Sequence, residues 1–295
     1  MRSQAGRPLW ENPPVDVGML GPLRVRTDGG VHADIPGARL RGLLTALAQH
    51  PGRVVSKAAL IDWIWGELPP SDAASALQRL ASRLRKVLPA GSVEGQADGY
   101  RLVVDPDAVD AVRFERLVGQ ARREDGPLRV QLLREALGLW RGAAMQDVGL
   151  QDSAAFDAAV SRLEGLRLTA GEDRYEAEVG LGHGVELISE LTDMVAAHPL
   201  RERLVAALMR ALAAGGRDSE ALLVYERIRE ALADALGVDP SPELSALHVA
   251  LLRGEVGRRD GSRRTNLRAE LTSFVGKDAD VAAVRDLVCG HPLTT

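Results

Sequence analysis

SDAASALQRLASRLRKVL, residues 71–88, is a helix with two unlike faces. At about 100° per residue, Leu77, Leu80, Ala81, Leu84, Val87 and Leu88 fall on one side. Ser75, Gln78, Arg79, Ser82, Arg83, Arg85 and Lys86 fall on the other. Ser71 or Asp72 supplies the N-cap, and Pro89–Ala90–Gly91 ends the helix. The outer face carries four positive charges and no negative one, with amide and hydroxyl groups between them. A solvated helix face usually mixes signs. Arg and Gln, by contrast, suit bidentate pairing with guanine and adenine edges in the major groove.

The flanking sequence completes a small domain around this helix. Upstream, Leu40, Leu43, Leu44 and Leu47 recur at i, i+3, i+4 and i+7, and Pro51–Gly52 closes that helix. Val54 and Val55 read as a short strand. Ser56 caps a second helix with Leu60, Ile61, Ile64 and Trp65 as its stripe, stopped by Gly66, Pro69 and Pro70. Further upstream, Val15, Val17 and Met19 alternate, Leu23 and Val25 follow Gly21–Pro22, and the turn Asp28–Gly29–Gly30 lets Val31 to Ile35 pair back. Downstream, Val93 to Gln96 and Tyr100 to Val104 flank Ala97–Asp98–Gly99, a hairpin signal. Two short helices, a tight turn, a third helix and a hairpin make a winged helix-turn-helix over residues 15–105.

Arg79, Arg83 and Lys86 are the central candidates for groove and phosphate contacts, with Ser75, Gln78 and Ser82 adding readout. Ser56 and Lys57, at the start of the second helix, are placed to hold a phosphate. The hairpin tip has no Lys or Arg, and Arg101 is the only base near it. Two readings of the hairpin stay open: a wing meeting the minor groove or backbone, or a closure of the sheet with Tyr100 in the core. Any wing contact is expected to be weaker than that of the helix.

From about Asp110 to Glu255 the pattern is helical almost throughout, with candidate helices at 110–123, 127–140, 153–180, 184–197, 200–214, 217–236 and 241–253. Short connections predict antiparallel neighbours. Residues 200–236 form a helix-turn-helix of nearly tetratricopeptide size, although the other pairs keep no strict period. Residues 1–105 carry 13 Lys+Arg against 10 Asp+Glu, whereas residues 106–255 carry 17 against 26. The acidic part is therefore expected to meet protein rather than DNA. The fold class is mainly α: an α+β winged helix followed by an all-α, tetratricopeptide-like domain. The expected divisions are a tail at 1–14, the winged helix at 15–105, the helical domain at 106–255, and a linker leading into a further module at 256–295.

Composition removes other classes. With 295 residues, 45% apolar and 26% charged, the chain has the make-up of a two-domain globular protein. No apolar run approaches the ~18 residues of a membrane span, and no signal-peptide core opens the chain. One cysteine, Cys289, excludes a disulfide framework and a cysteine-rich zinc site. There is no H-E-x-x-H and no G-x-S-x-G, the six histidines are scattered, and Gly180–Gly184 follows a helix rather than a strand. The expectation is a cytoplasmic, nucleoid-associated protein that is not an enzyme, with no cofactor, no metal and no membrane partner.

Five blocks in fixed order carry a resemblance: LGPLRV (20–25), ARLRGLLTALAQHPGRVVS (38–56), LIDWIWG (60–66), SRLRKVL (82–88) and GYRLVVDPDAVDAVRFERLV (99–118). With LREALGLWRG (133–142) and ALLVYERIREALADALGVDPSPEL (221–244), they resemble the Streptomyces antibiotic regulatory protein family over roughly residues 15–255. The resemblance implies a winged-helix domain and a bacterial transcriptional activation domain. It implies an activator of a secondary-metabolite cluster that binds direct repeats near a promoter −35 element. The implied partners are double-stranded promoter DNA, a second copy of the chain paired on that DNA, and RNA polymerase holoenzyme through sigma-factor and alpha- or beta-subunit surfaces. Arg39 and Arg41, at the start of the first helix, stay open between DNA, polymerase and solvent. LRAELTSFVGKDADVAAVRDLV (267–288) is similar to the lead-in to an ATPase module of large family members, yet no G-x-x-x-x-G-K-[ST] loop occurs in the chain. The chain thus reads as an N-terminal piece of a larger regulator. The rival reading is a helical adaptor whose basic helix binds protein.

Overall fold

The computed structural model describes residues 15–27, 30 and 32–256. The expected 1–14 tail, the tip of the first turn and the tail resemblance at 267–288 lie outside the described residues.

The chain opens with a two-stranded antiparallel ribbon, β1 (Asp16–Gly18) and β2 (Arg24–Arg26), in which Val17 faces Val25. Three helices follow: α1 (Ala38–Ala48), α2 (Lys57–Trp65) and α3 (Ala73–Val87). The strands β3 (Val55–Ser56), β4 (Val93–Gly95) and β5 (Gly99–Leu102) form a small sheet in the order β3-β5-β4, both pairs antiparallel. This sheet closes only because residue 99 is glycine, since a Cβ there would lie 1.9 Å from the Val55 carbonyl oxygen. The winged helix expected from the sequence is therefore present, and the described chain is mainly helical.

The remaining helices are α4 (Asp110–Ala121), α5 (Gly126–Gly138), α6 (Ala154–Gly180), α7 (Ile188–Ala197), α8 (Glu202–Ala214), α9 (Asp218–Leu236) and α10 (Pro242–Leu252). Each starts within about two residues of its sequence expectation except the fourth, where a 3-10 turn at Val185–Leu187 precedes α7. Local signals explain the agreement. Ser153 and Ser241 cap α6 and α10 through their hydroxyls, and Gly237 ends α9 in the left-handed region at φ 69°.

The apolar core does not divide where the composition shifts. One cluster runs from Val15 through Leu44, Leu77 and Leu102 to Phe114, Leu133 and Ala170, joining the winged helix to α4, α5 and the first half of α6. Trp63 on α2 meets Phe156 on α6 edge-on, with ring centroids 5.6 Å apart. A second cluster holds Tyr175 and the residues of α7 to α10.

Backbone bonds reinforce the first junction. The Asp110 carboxylate accepts the Met19 and Leu20 N–H groups at 2.7 and 3.1 Å, and Arg141 donates to it at 3.1 Å. The Arg141 and Met145 N–H groups donate to Leu20 and Met19 carbonyls, both at 2.8 Å. Asp147 accepts from the Leu23 N–H at 2.7 Å, and the Ser153 hydroxyl donates to the Trp63 carbonyl at 2.8 Å. The loop between α5 and α6 thus clasps both the ribbon and α2. Between the two apolar clusters lies a charged layer. There Arg134 forks onto the buried Glu178 at 2.9 and 2.6 Å, and Arg203 donates to Asp173 and Glu176, each at 2.7 Å.

Candidate nucleic-acid interface

Asp72 starts α3 as an N-cap, accepting the Ser75 N–H at 3.0 Å. Hydrogen bonding from Ser75, side chain and backbone, holds the Asp72 carboxyl below the usual carboxylate range. The apolar face is buried: Leu77, Leu80, Ala81 and Leu84 pack toward α1 and α2. The opposite face presents Gln78, Arg79, Ser82, Arg83 and Lys86 as exposed side chains, with Ser75 half-buried at their N-terminal end. The side chains of Arg79, Arg83 and Lys86 form no hydrogen bond or close ion pair with any described residue, although the Arg79 charge acts at longer range on the Asp72 carboxylate. Three long cations at i, i+4 and i+7 therefore share one solvent-facing stripe.

Arg85 does not belong with them. Its Nε donates to the Val93 carbonyl at 3.0 Å, and its guanidinium lies 5.7 Å from the centre of the Tyr100 ring. Residue 85 sits at the edge of the polar face nearest the hairpin, where a carbonyl and an aromatic face are both in reach. The outer face thus keeps the four exposed cations that periodicity gave, and one of them, Arg85, is engaged with the hairpin.

The other candidates are also engaged. Ser56 Oγ caps α2 by accepting the Ala59 N–H at 3.2 Å. Lys57 Nζ donates to the Ala97 carbonyl at 2.9 Å, and the Lys57 N–H donates to the Asp98 carbonyl at 2.9 Å. Arg101 donates from Nε and Nη2 to Glu94 Oε2 at 2.8 and 2.6 Å, across the β4–β5 pair. Tyr100 is buried, so the hairpin does close the sheet, and its tip projects beyond it as a turn. Arg39 is exposed with its guanidinium 5.9 Å from the centre of the Trp65 ring, while Arg41 is half-buried. Arg53, which sequence reasoning did not single out, is exposed in the turn before β3, where the Gly52 N–H donates to the Leu102 carbonyl at 2.7 Å. A lone loop cation has no periodic signal that could have marked it.

The arrangement is a rigid helix offering donors of two shapes, planar guanidinium and ammonium, beside amide and hydroxyl groups. That set can pair with phosphate oxygens and with base edges.

Residues 37–101 match the family described as transcriptional regulatory protein, C terminal, and residues 109–252 match the bacterial transcriptional activator domain. The regulatory protein DnrI of Streptomyces peucetius is 36% identical over 258 residues, covering 82% of this chain and 94% of DnrI. The chain belongs to the Streptomyces antibiotic regulatory protein family. The regulatory protein AfsR of Streptomyces griseus, another relative of this family member, is 39% identical over 241 residues, which cover 80% of this chain and 24% of AfsR. The chain therefore spans about a quarter of AfsR. Among solved structures, Mycobacterium tuberculosis EmbR in complex with a low-affinity phosphopeptide aligns with a TM-score of 0.74 and 31% identity, over 82% of this chain and 65% of that one. The matched families and relatives are transcriptional regulators.

Proposed function

We propose that this chain is a transcriptional activator that binds duplex promoter DNA by laying α3 in the major groove. The observation that carries the reading is the stripe of Arg79, Arg83 and Lys86, exposed and unpaired on a helix whose other face is core. Gln78, Ser82 and Ser75 lie beside it and add base readout. Family membership supports direct repeats near a −35 element of a secondary-metabolite promoter, occupied by two copies side by side. The acidic helices α4 to α10 supply protein contacts to the second copy and to RNA polymerase holoenzyme, through its sigma factor and alpha or beta subunit. The work is done in the cytoplasm, at the nucleoid.

Arg83→Ala tests it, titrated on a duplex selected by the chain from a random pool and on an unselected duplex, at two salt concentrations. A base contact predicts a loss of about 1–3 kcal/mol on the selected duplex and much less on the other. A phosphate contact predicts similar losses on both and a salt slope lower by about 1. If neither Arg83→Ala nor Arg79→Ala changes binding or slope in a normally melting protein, α3 is not the reading element.

A further inference from the structure

The cations around α3 fall into two groups by what their charged ends touch. Arg79, Arg83 and Lys86 face solvent. Lys57 and Arg85 face the hairpin, the first at its turn and the second at β4 and the Tyr100 ring. Lys57 starts α2 and reaches the turn: its N–H and its Nζ donate to the consecutive carbonyls of Asp98 and Ala97, each at 2.9 Å. Arg85, near the end of α3, holds the β4 backbone through the Val93 carbonyl and lies against the Tyr100 ring of β5. The turn itself is closed by the Gln96 and Gly99 backbones, which exchange bonds at 2.8 and 3.3 Å. Among the described residues, its further ties are to β3 and to Lys57, through Ser56 opposite Gly99 and the two lysine bonds.

We propose that Lys57 and Arg85 are positioning residues for DNA reading, which fix the wing against α2 and α3 instead of touching phosphate. The proposal rests on the reading of α3 as the DNA-contacting helix. Two features support it. The remaining cation of the hairpin, Arg101, is neutralised by Glu94, so the wing offers no unpaired Lys or Arg, and Asp98 at its tip is exposed and acidic. A wing of that charge gains nothing from the phosphate backbone. What it can contribute is shape: a polar turn held at a set angle beside the groove occupied by α3. Carbonyl ligation also suits a cation in that role, since an ammonium with an oxygen partner is held in place while keeping its remaining donors hydrated.

The experiment uses the full chain and three variants: Lys57→Met, Lys57→Arg and Arg83→Ala. Binding is measured by fluorescence anisotropy on a duplex selected from a random pool and on an unselected duplex, across a salt series. Backbone hydrogen exchange over residues 93–102 is measured without DNA. The proposal expects Lys57→Met to speed exchange in the turn and to weaken binding to the selected duplex about three- to tenfold, the range of one modest hydrogen bond. It expects the salt slope of Lys57→Met to equal that of wild type, and Lys57→Arg, which can still donate to the Ala97 carbonyl, to recover both exchange and affinity. A slope lower by about 1 in Lys57→Met would mean that Lys57 contacts phosphate, and the proposal falls. Unchanged affinity and unchanged exchange would overturn it as well. Failure of the parent reading looks different: wild type binds neither duplex, or Arg83→Ala binds both as wild type does.

Discussion

Asp110→Ala should destabilise the whole first half of the molecule, because one carboxylate there satisfies two buried backbone donors. Met19 and Leu20 are both 0% exposed, and their N–H groups have Asp110 as acceptor at 2.7 and 3.1 Å. Removing the carboxylate strands both donors away from water, at about 1–3 kcal/mol each. Arg141 also loses a partner, but its side chain is 25% exposed and keeps its bond to the Pro22 carbonyl at 2.7 Å, so that loss adds little. The negative charge in the first turn of α4 is lost too, about 0.3–1 kcal/mol. The total is about 2–7 kcal/mol, a large share of the ~5–15 kcal/mol typical of a domain.

Urea unfolding followed by tryptophan fluorescence reads this directly, since Trp63 and Trp65 are buried in the cluster that the bond pair helps to close. Asp110→Asn is the informative companion. Its amide oxygen can still accept the Met19 N–H, so it should recover part of the loss and not all of it. A cost below about 1 kcal/mol for Asp110→Ala would refute the reasoning, because it is less than one stranded donor. The ribbon and α4 would then not depend on each other.

Residues 15–105 expressed alone should fail to give a cooperative melt, since the core of that segment includes side chains from α4 to α6; circular dichroism against temperature checks it. Arg134→Met should cost about 2 kcal/mol in urea unfolding, because Glu178, 1% exposed at its side chain, keeps only the longer contact to Arg174 at 3.7 Å. The Asp72 cap should show in acid. Its folded pKa is lowered, so the stability it adds is present above the unfolded value near about 4 and is lost as pH falls through the folded one. Asp72→Asn keeps a capping oxygen without the ionisation, so wild type should lose stability relative to it as pH falls below about 4, measured by thermal melts.

What the sequence made legible was local. The helix expected at 72–88 spans Ala73–Val87, and its Asp72 cap and the hairpin at Ala97–Asp98–Gly99 are in place, because caps, turns and periodicity act within a few residues. The exposed cations of α3, Arg79, Arg83, Arg85 and Lys86, followed from the same periodicity. What stayed hidden was every engagement with a distant carbonyl. Lys57 with Ala97 and Arg85 with Val93 depend on how the hairpin folds back, which no helical wheel displays. The loop 141–153 was equally silent, although Met145 and Asp152 adopt φ of 51° and 59°, unusual for residues with a Cβ. Gly66 must be glycine because its Cβ would lie 1.8 Å from the Asp152 carbonyl oxygen, a contact between positions 86 residues apart.

The shared core sets how the two charge classes would act under the proposed binding to DNA. Composition sets a mildly basic segment before an acidic one and says nothing of how the two are joined. The buried contacts between α2 and α6, and the clasp of loop 141–153 on the ribbon, make the winged helix and α4 to α6 one body. Its acidic surface therefore travels with α3 at a fixed angle. On the proposed direct repeats two copies would point the same way along the duplex, so no two-fold axis would relate them and a contact between them would join two different faces of the chain. A fixed angle is what lets such a contact recur at one repeat spacing. Loosening the junction at Asp110 should accordingly weaken paired occupancy of two repeats more than occupancy of one, a difference that quantitative gel shifts on one-repeat and two-repeat duplexes resolve. Equal loss on both would show that pairing does not depend on the orientation of the helical half.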